Sequence, residues 1–322
     1  MVIDQLKEKW QKVSFSKSSK GYKALRISSE CKSEFFIAVD SLGNRCLLLF
    51  LPPNVEVDVN GADKEKLQLS YIKEKDVILI KLNDIDFIDL FNDLIISLYS
   101  KIYKISDPRF YSKELISSFY KWVEFFDDKQ IKKLTPEEIQ GLFGELFVLN
   151  DRLRVTDNLN VNSVLESWRG PYGNTNDFVL DKKNIEVKTK QESKSFVKIS
   201  SEYQLDIEFN KGLELLVISL VNDISEGESI FDLLSKIILL VRHNHGDLAI
   251  LYQALNQKGL SIDSIKEYNN HRFTVKKTAL YDCTLNDFPK LSYSNIPKEI
   301  TKLKFNLRIS TLTEFLIEEK VY

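Results

Sequence analysis

The sequence predicts an α+β protein, in which an antiparallel β-rich unit precedes a mixed α/β core and a C-terminal α/β extension. Three observations predict this class. Short apolar or alternating runs, broken by turn residues, fill residues 22–82. A helix with a capping box begins at Thr135. A second pair of strands follows over residues 177–191, and the 322-residue length allows two domains or one elaborated domain with a sizeable core.

The first unit, residues 1–106, is predicted to be a sheet closed by a helix. Residues 86–105 carry apolar side chains at helical spacing. A helical connector is predicted over 107–133, and its aromatic cluster favours packing between domains over base stacking. The five predicted strands are Tyr22–Ile27, Phe35–Val39, Arg45–Leu51, Leu67–Ile72 and Asp76–Leu82.

The predicted core covers residues 134–222, and the extension covers 223–322. The core begins with a helix in which Pro136 takes the first position and Glu138 completes the capping box. A loop rich in glycine and proline precedes the hairpin. The predicted core elements after this loop are the strands Asp177–Leu180 and Ile185–Gln191, a helix over 200–209 and a buried strand Leu213–Val221. The predicted extension elements are the helices Ile230–Val241, Leu248–Leu255 and Thr313–Glu319 and the strands Phe273–Tyr281 and Leu303–Ile309.

Charge and cysteine usage exclude several classes of protein. There are 45 Lys and Arg against 47 Asp and Glu, a net charge of −2, so contacts to phosphate must come from a local basic patch. Three widely spaced cysteines support neither a disulfide framework nor a thiolate zinc site. The absence of a signal peptide and of an apolar span predicts a cytoplasmic protein without a membrane partner. A GxxxxGK[ST] phosphate loop and a GxSxG elbow are also absent.

One strand carries a concentrated set of polar side chains. Its two-residue period places Glu186, Lys188 and Lys190 on one face, with apolar residues and a threonine on the other. Asp177 lies nine residues before Glu186, on the partner strand across a turn. The two carboxylates are therefore predicted to lie within reach of one metal ion.

These groups predict a specific chemistry. Two carboxylates from Asp177 and Glu186, with the backbone carbonyl of Val187, form a hard oxygen site suited to Mg²⁺ or Mn²⁺. Such a metal polarises a phosphodiester and lowers the pKa of a bound water, while the Lys188 ammonium holds that water and offsets developing charge. The predicted reaction is phosphodiester hydrolysis.

The pattern resembles the PD-(D/E)XK nuclease superfamily, in which an acid on one strand and an (Asp/Glu)-x-Lys on the next form the active site. Here the matching residues are Asp177 and Glu186-x-Lys188. The wider context looks like a bacterial family of PD-(D/E)XK proteins of otherwise unknown function (DUF4420-like), over roughly residues 134–222. It is carried by Gly141–Leu146, Ser167–Gly170 and Asp177-Phe178. The resemblance implies a restriction-endonuclease-like αβββαβ core.

The resemblance also implies further site residues. Glu145 matches an acid that the first helix often supplies, and Gln204 is the better match, ahead of Glu202, for a polar residue on the helix after the hairpin. Asn176 stands where the motif's name has proline, a position that is often not proline in the superfamily. DNA is the implied substrate. Defence-system proteins such as a methyltransferase or an ATPase are implied partners, and a homodimer is among the expected states because enzymes that cut both strands often dimerise.

Several of these residues have a second interpretation. An isolated Glu-x-Lys is typical of a solvated strand face, and only its combination with the other features favours catalysis. Glu145 is either a metal-site acid or an exposed acid on a helix. Arg169 can grip a phosphate and Trp168 can stack on a base or brace its loop; the alternative is a core tryptophan with an ion-paired neighbour. Lys190 is either surface charge or a phosphate contact.

The leading hypothesis from the sequence is a Mg²⁺-dependent endonuclease acting on DNA, with Asp177, Glu186, Lys188, Glu145 and Gln204 in its catalytic site. The alternative is a non-catalytic DNA-binding or scaffold subunit of a defence complex that keeps the nuclease fold. An RNA-directed nuclease is a third hypothesis, since the same chemistry cleaves either nucleic acid.

Overall fold

The structure of the protein is a computed structural model that describes residues 3–13, 21–53, 55, 57, 59, 62–126 and 133–322. It divides into two compact units, Met1–Lys129 with Asp247–Ala249 and Gln130–Gly246 with Ile250–Tyr322. The end of the predicted connector, 127–132, lies outside the described residues. The four predicted segments stay a prediction. None of the described helices combines the length and the apolar character that crossing a membrane needs.

In its described residues, the first unit contains an antiparallel sheet and three α-helices. In chain order its elements are α1 (Ile3–Lys12), β1 (Lys23–Arg26), β2 (Glu34–Val39), β3 (Arg45–Phe50), β4 (Ala62–Asp63), β5 (Leu67–Ile72), β6 (Val77–Leu82), α2 (Ile88–Ile102) and α3 (Pro108–Val123). The strand order is β1-β2-β3-β6-β5-β4. The five predicted strands and the closing helix are confirmed, while α1 and β4 were not predicted.

The elements from residue 136 onward form most of the second unit. They are α4 (Pro136–Arg154), α5 (Val161–Ser167), β7 (Phe178–Val179), β8 (Lys183–Gln191), β9 (Phe196–Ile199), β10 (Gly212–Asn222), α6 (Ile230–His243), α7 (Leu248–Gln257), α8 (Ile262–Ile265), β11 (Phe273–Asp282), β12 (Phe305–Arg308) and β13 (Leu316–Val321). Five strands form a sheet in the order β13-β11-β10-β8-β7, and β9 pairs with β12 in a separate ribbon. Strands β8 and β10 are parallel, and the other pairs in this sheet are antiparallel. The α+β class is confirmed.

Two predicted helices are wrong. Residues 201–205 form turns, because side chains there bond to backbone groups: the Gln204 Oε1 atom accepts from Ser200 N at 2.8 Å. The predicted C-terminal helix Thr313–Glu319 is instead a single 3-10 turn over Thr313–Phe315 followed by β13, all six residues of which are exposed. Pairing with β11, a contact that no local pattern reveals, decides its conformation.

The helix α4 lies close against β8 at Gly144. A Cβ atom at this position would overlap the Thr189 Cγ2 atom and would lie 3.5 Å from the Val187 Cγ1 atom. Val187 and Thr189 therefore face α4, as the two-residue period of the strand predicts. This close approach holds the N-terminal half of α4 beside the strand that carries Glu186 and Lys188.

The Gly144→Ala variant is expected to lower the free energy of unfolding by about 1–3 kcal/mol, because the added methyl group overpacks the contact with β8. Gly141→Ala is the matched control on the same helix, since a Cβ atom there would meet nothing within 4 Å. The control is expected to gain up to about 1 kcal/mol from helix propensity. Urea denaturation measures both changes, and an equal effect of the two would contradict the close packing.

Candidate active site

The site is built where α4, β7 and β8 meet. Strand β7 is only two residues long and pairs with β8 through Phe178 and Val179. Asp177 comes directly before it. The backbone carbonyl of Asp177 accepts from Arg169 N at 2.7 Å and Gly170 N at 3.0 Å. These bonds tie the glycine-rich loop to the start of the strand and fix the backbone from which the Asp177 carboxylate projects.

The Asp177 carboxylate lies between β8 and α4. Its Oδ2 atom accepts from the backbone N–H of Val187 at 2.8 Å. Its Oδ1 atom and the Glu145 Oε2 atom both lie close to Gly170. A Cβ atom at Gly170 would lie 2.8 Å from the Asp177 Oδ1 atom and 2.6 Å from the Glu145 Oε2 atom. Only glycine leaves room for both oxygens at this position. The two acids predicted from separate elements are therefore neighbours.

Glu186 and Lys188 form the other half of the site. The Lys188 Nζ atom lies 2.7 Å from the Glu186 Oε1 atom and donates to the Gln204 Oε1 atom at 3.2 Å. Asn176 donates through Nδ2 to the Glu186 Oε2 atom at 3.3 Å and to the Gln204 carbonyl at 3.0 Å. Glu186 is 1% exposed, so these partners replace the water that its carboxylate loses on folding.

The acids of the site, Lys188 and Gln204 line one cavity of about 690 Å³. The predicted site residues that line it are Glu145, Asp177, Glu186, Val187, Lys188, Lys190 and Gln204. Glu202, the weaker candidate, is not among the lining residues, and its carboxylate accepts from the backbone N–H groups of Lys302 and Leu303. The structure thus places Gln204 at the site and gives Glu202 a structural role.

The acids repel one another inside this cavity. Burial raises the pKa of Asp177 well above its ordinary value, and the nearby carboxylates of Glu186 and Glu145 raise it further. Burial also raises the pKa of Glu186, although the Lys188 ammonium acts in the opposite direction. Such excess negative charge favours the entry of a cation.

The oxygen atoms at this site suit a hard divalent cation. In an extended strand the N–H and C=O of one residue point to the same edge, so the Val187 carbonyl points to the edge where its N–H meets Asp177. Strand β7 pairs with β8 only at Asn184 and Ile185. At Val187, the edge of β8 that faces β7 is therefore not paired with β7. Asp177, Glu186 and the Val187 carbonyl therefore fit the predicted ligand set.

Glu145 does not fit the direct ligand role. Its Oε2 atom accepts from Trp168 Nε1 at 2.7 Å and its Oε1 atom from Lys258 Nζ at 3.1 Å. Within the described part of the chain, no three His, Cys, Asp or Glu side chains are spaced to hold one metal ion. Glu145 is better placed to orient its neighbours than to bind a metal directly.

The three residues expected to contact nucleic acid have different surroundings. Trp168 is 1% exposed and bonded to Glu145, so its ring cannot stack on a base in this conformation and instead braces the loop. Arg169 is exposed, with its guanidinium carbon 5.5 Å from the centre of the Tyr172 ring. Lys190 lies at the cavity, and its Nζ atom donates to the Glu192 carbonyl at 3.3 Å.

Two residues of the site were missed from the sequence. Asn176 was considered only as a replacement for proline, yet it connects Glu186 to Gln204, and its Oδ1 atom accepts from Asn184 Nδ2 at 3.3 Å. Its position directly before Asp177 was the available signal. Lys258 directly follows α7, 113 residues from Glu145 in the sequence, and no local pattern marks it.

The comparison with protein families agrees with this geometry. The family described as "Putative PD-(D/E)XK family member" (DUF4420) matches residues 6–310. The chain belongs to this family. No curated protein and no solved structure gives a significant match. Membership of this family supports a nuclease-like fold.

Proposed function

We propose that this protein is a Mg²⁺- or Mn²⁺-dependent endonuclease that hydrolyses phosphodiester bonds in DNA. One observation carries the proposal: Asp177 and Glu186 line the same cavity as Lys188, although burial raises the pKa of both carboxyl groups and the charge of Glu186 raises the pKa of Asp177 further. A buried carboxylate pair of this kind has little structural use without a cation, whereas a metal-dependent phosphodiesterase uses such a pair to hold its metal ion.

Asp177, Glu186 and the Val187 carbonyl would hold the metal. When bound, a divalent metal ion polarises the scissile phosphate and lowers the pKa of a coordinated water. The protein supplies the fixed geometry for this. Val187 N–H holds the Asp177 carboxylate from one side, and Asn176 holds the Glu186 carboxylate from another. Pre-oriented ligands avoid reorganisation when the substrate binds.

Lys188 is the cationic group next to the reacting phosphate. Gln204 accepts one of its hydrogen bonds and so orients the ammonium group toward the cavity. A three-donor ammonium can hold the attacking water and also offset the charge that develops on the phosphorane. Gln204 itself is fixed because its Oε1 atom also accepts from Ser200 N at 2.8 Å. Gln204 is therefore a positioning residue.

The proposal also includes the biological role of the protein and its partners. The resemblance to the PD-(D/E)XK family favours DNA as the substrate and a role in restriction or phage defence. A methyltransferase or an ATPase encoded with it would be the expected partner. These assignments can be tested by co-purification with the products of neighbouring genes.

The decisive experiment is cleavage by the purified protein. Supercoiled plasmid and a short RNA are each incubated with Mg²⁺, with Mn²⁺ and with EDTA. We expect nicked or linear plasmid only in the presence of metal, with the RNA intact. Cleavage of RNA alone would favour the RNA-directed nuclease, and cleavage in EDTA would contradict the metal-dependent mechanism.

A second candidate function is a non-catalytic DNA-binding or scaffold subunit. The ion pairs that Glu186 makes with Lys188 and Glu145 makes with Lys258 favour it, because these lysines already neutralise part of the acidic charge. Calorimetric titration with Mn²⁺ separates the two candidates. Binding that disappears in Asp177→Asn supports the nuclease, and the absence of binding at millimolar Mn²⁺ supports the scaffold.

A further inference from the structure

The ribbon formed by β9 and β12 carries an unusual concentration of positive charge. Residues 194–199 and 302–309, which contain the two strands and their flanking residues, hold no acidic residue. They hold five cations, namely Lys194, Lys198, Lys302, Lys304 and Arg308. The whole chain, by contrast, has a net charge of −2. This is the local basic patch that contact with phosphate requires in a protein of this composition.

The ribbon has one buried and one exposed face. Val197, Ile199 and Leu307 are buried in the core of the second unit. The exposed face presents Phe196, Lys198, Asn306 and Arg308. Arg308 lies opposite Phe196 in the ladder, and Asn306 lies opposite Lys198, so these four side chains form one compact surface. Phe196 is 39% exposed, so part of its apolar ring is available for contact with a ligand.

The surface continues into the candidate active site. Lys194, Phe196, Lys198 and Asn306 line the same cavity as Lys188. Among the residues that the structure describes, Lys198 and Arg308 have no acidic ion-pair partner. The positive charges of these two side chains are therefore available to a ligand. They favour a polyanion, and the position of the surface allows that polyanion to reach the cavity.

We propose that the exposed face of the β9–β12 ribbon binds duplex DNA in its major groove and presents one strand to Lys188. This inference rests on the proposed function. The major groove admits a two-stranded ribbon. Lys198 is placed to contact backbone phosphate, and Arg308 and Asn306 carry the donors that read base edges. Phe196 supplies the apolar contact that thymine methyl groups offer.

The test is DNA binding without cleavage. Fluorescence anisotropy in EDTA measures the affinity for a labelled duplex of about 20 base pairs, two helical turns, over a range of salt concentrations. The Lys198→Ala/Arg308→Ala variant is expected to bind about tenfold more weakly. Its salt slope should fall by about one, because Lys198 is the cation assigned to a phosphate, whereas Arg308 is assigned to base edges. Asn306→Asp, which adds an acid to the same face, should weaken binding comparably.

The matched control removes two exposed cations elsewhere. Lys73→Ala/Lys75→Ala loses the same charge from a turn in the first unit. Equal weakening by both double variants, or unchanged binding by the ribbon variants, overturns the proposal. Equal affinity of the wild type for a single strand overturns the groove assignment. Thermal melts that match the wild type establish that each variant is folded.

The two proposals fail in different ways. If the wild type cuts no nucleic acid but binds duplex DNA through the ribbon, the proposed nuclease function fails and the ribbon assignment survives. If the wild type cuts DNA while the ribbon variants bind it normally, the ribbon assignment alone fails.

Discussion

Replacement of Lys188 by alanine is expected to lower the rate of plasmid cleavage by about 10³-fold, the scale of losing a preorganised electrostatic group. Lys188 is the lysine that lies 2.7 Å from the Glu186 carboxylate and is oriented by Gln204. Without its ammonium group, the attacking water loses the donor that the proposed mechanism assigns to it. Initial rates of nicking in Mg²⁺, measured beside the wild type, check the prediction.

Lys190→Ala is the matched control for this experiment. Lys190 lies two residues further along β8 and lines the same cavity, but its ammonium donates to the backbone carbonyl of Glu192. We expect its loss to change the cleavage rate by less than about tenfold, as for a peripheral phosphate contact. A Lys188→Ala variant that keeps metal-dependent activity while Lys190→Ala loses it would reverse the assigned roles.

The second large effect is expected from Asp177→Asn, which should abolish both Mn²⁺ binding and cleavage while making the metal-free protein more stable. An amide is a poor ligand for a hard cation compared with a carboxylate. Its oxygen can still accept the hydrogen bond from Val187 N–H. The free energy of unfolding is expected to rise by about 1 kcal/mol, which is a few degrees in Tm. The reason is that a buried carboxylate repelled by neighbouring carboxylates destabilises the fold.

The pH dependence of stability follows from the raised pKa of Asp177. Above the ordinary carboxyl pKa of about 4, the folded protein retains a proton that the unfolded chain has lost. Stability without metal therefore falls as the pH rises from about 4 to the raised pKa, and the full loss is present above it. The Asp177→Asn variant should lack this contribution. Thermal melts in EDTA across this pH range measure the difference.

Asp181→Asn provides the comparison, since Asp181 is an exposed acid in the turn of the same hairpin. This variant should keep Mn²⁺ binding and the wild-type Tm. If Asp177→Asn instead destabilised the metal-free protein by several degrees, the view of Asp177 as a strained functional acid would be wrong. Retained Mn²⁺ binding would remove it from the ligand set.

The sequence predicted the parts of the fold that local periodicity and capping specify. The helix α4 begins where the capping box at Thr135 and Glu138 predicts, with both reciprocal hydrogen bonds present. The alternation in β8 correctly placed Val187 and Thr189 on one face of the strand, and the structure shows that this face packs against α4. The helix predicted over 200–209 is wrong because the Gln204 side chain bonds to the backbone of Ser200, and the Glu202 carboxylate bonds to backbone N–H groups about a hundred residues away in the sequence.

By itself, the sequence determined the candidate residues and their spacing: Asp177 on one strand and Glu186-x-Lys188 on the next, nine to eleven residues apart. The side chains of a strand alternate between its two faces with a fixed period, so this pattern can be recognised without knowing the rest of the fold. Only the tertiary structure decided which groups surround these residues. It brought Lys258 to Glu145 across 113 residues of sequence, buried Trp168 and placed the basic β9–β12 ribbon beside the cavity. These contacts join residues distant in the sequence, and packing of the whole unit, which no local pattern encodes, brings them together.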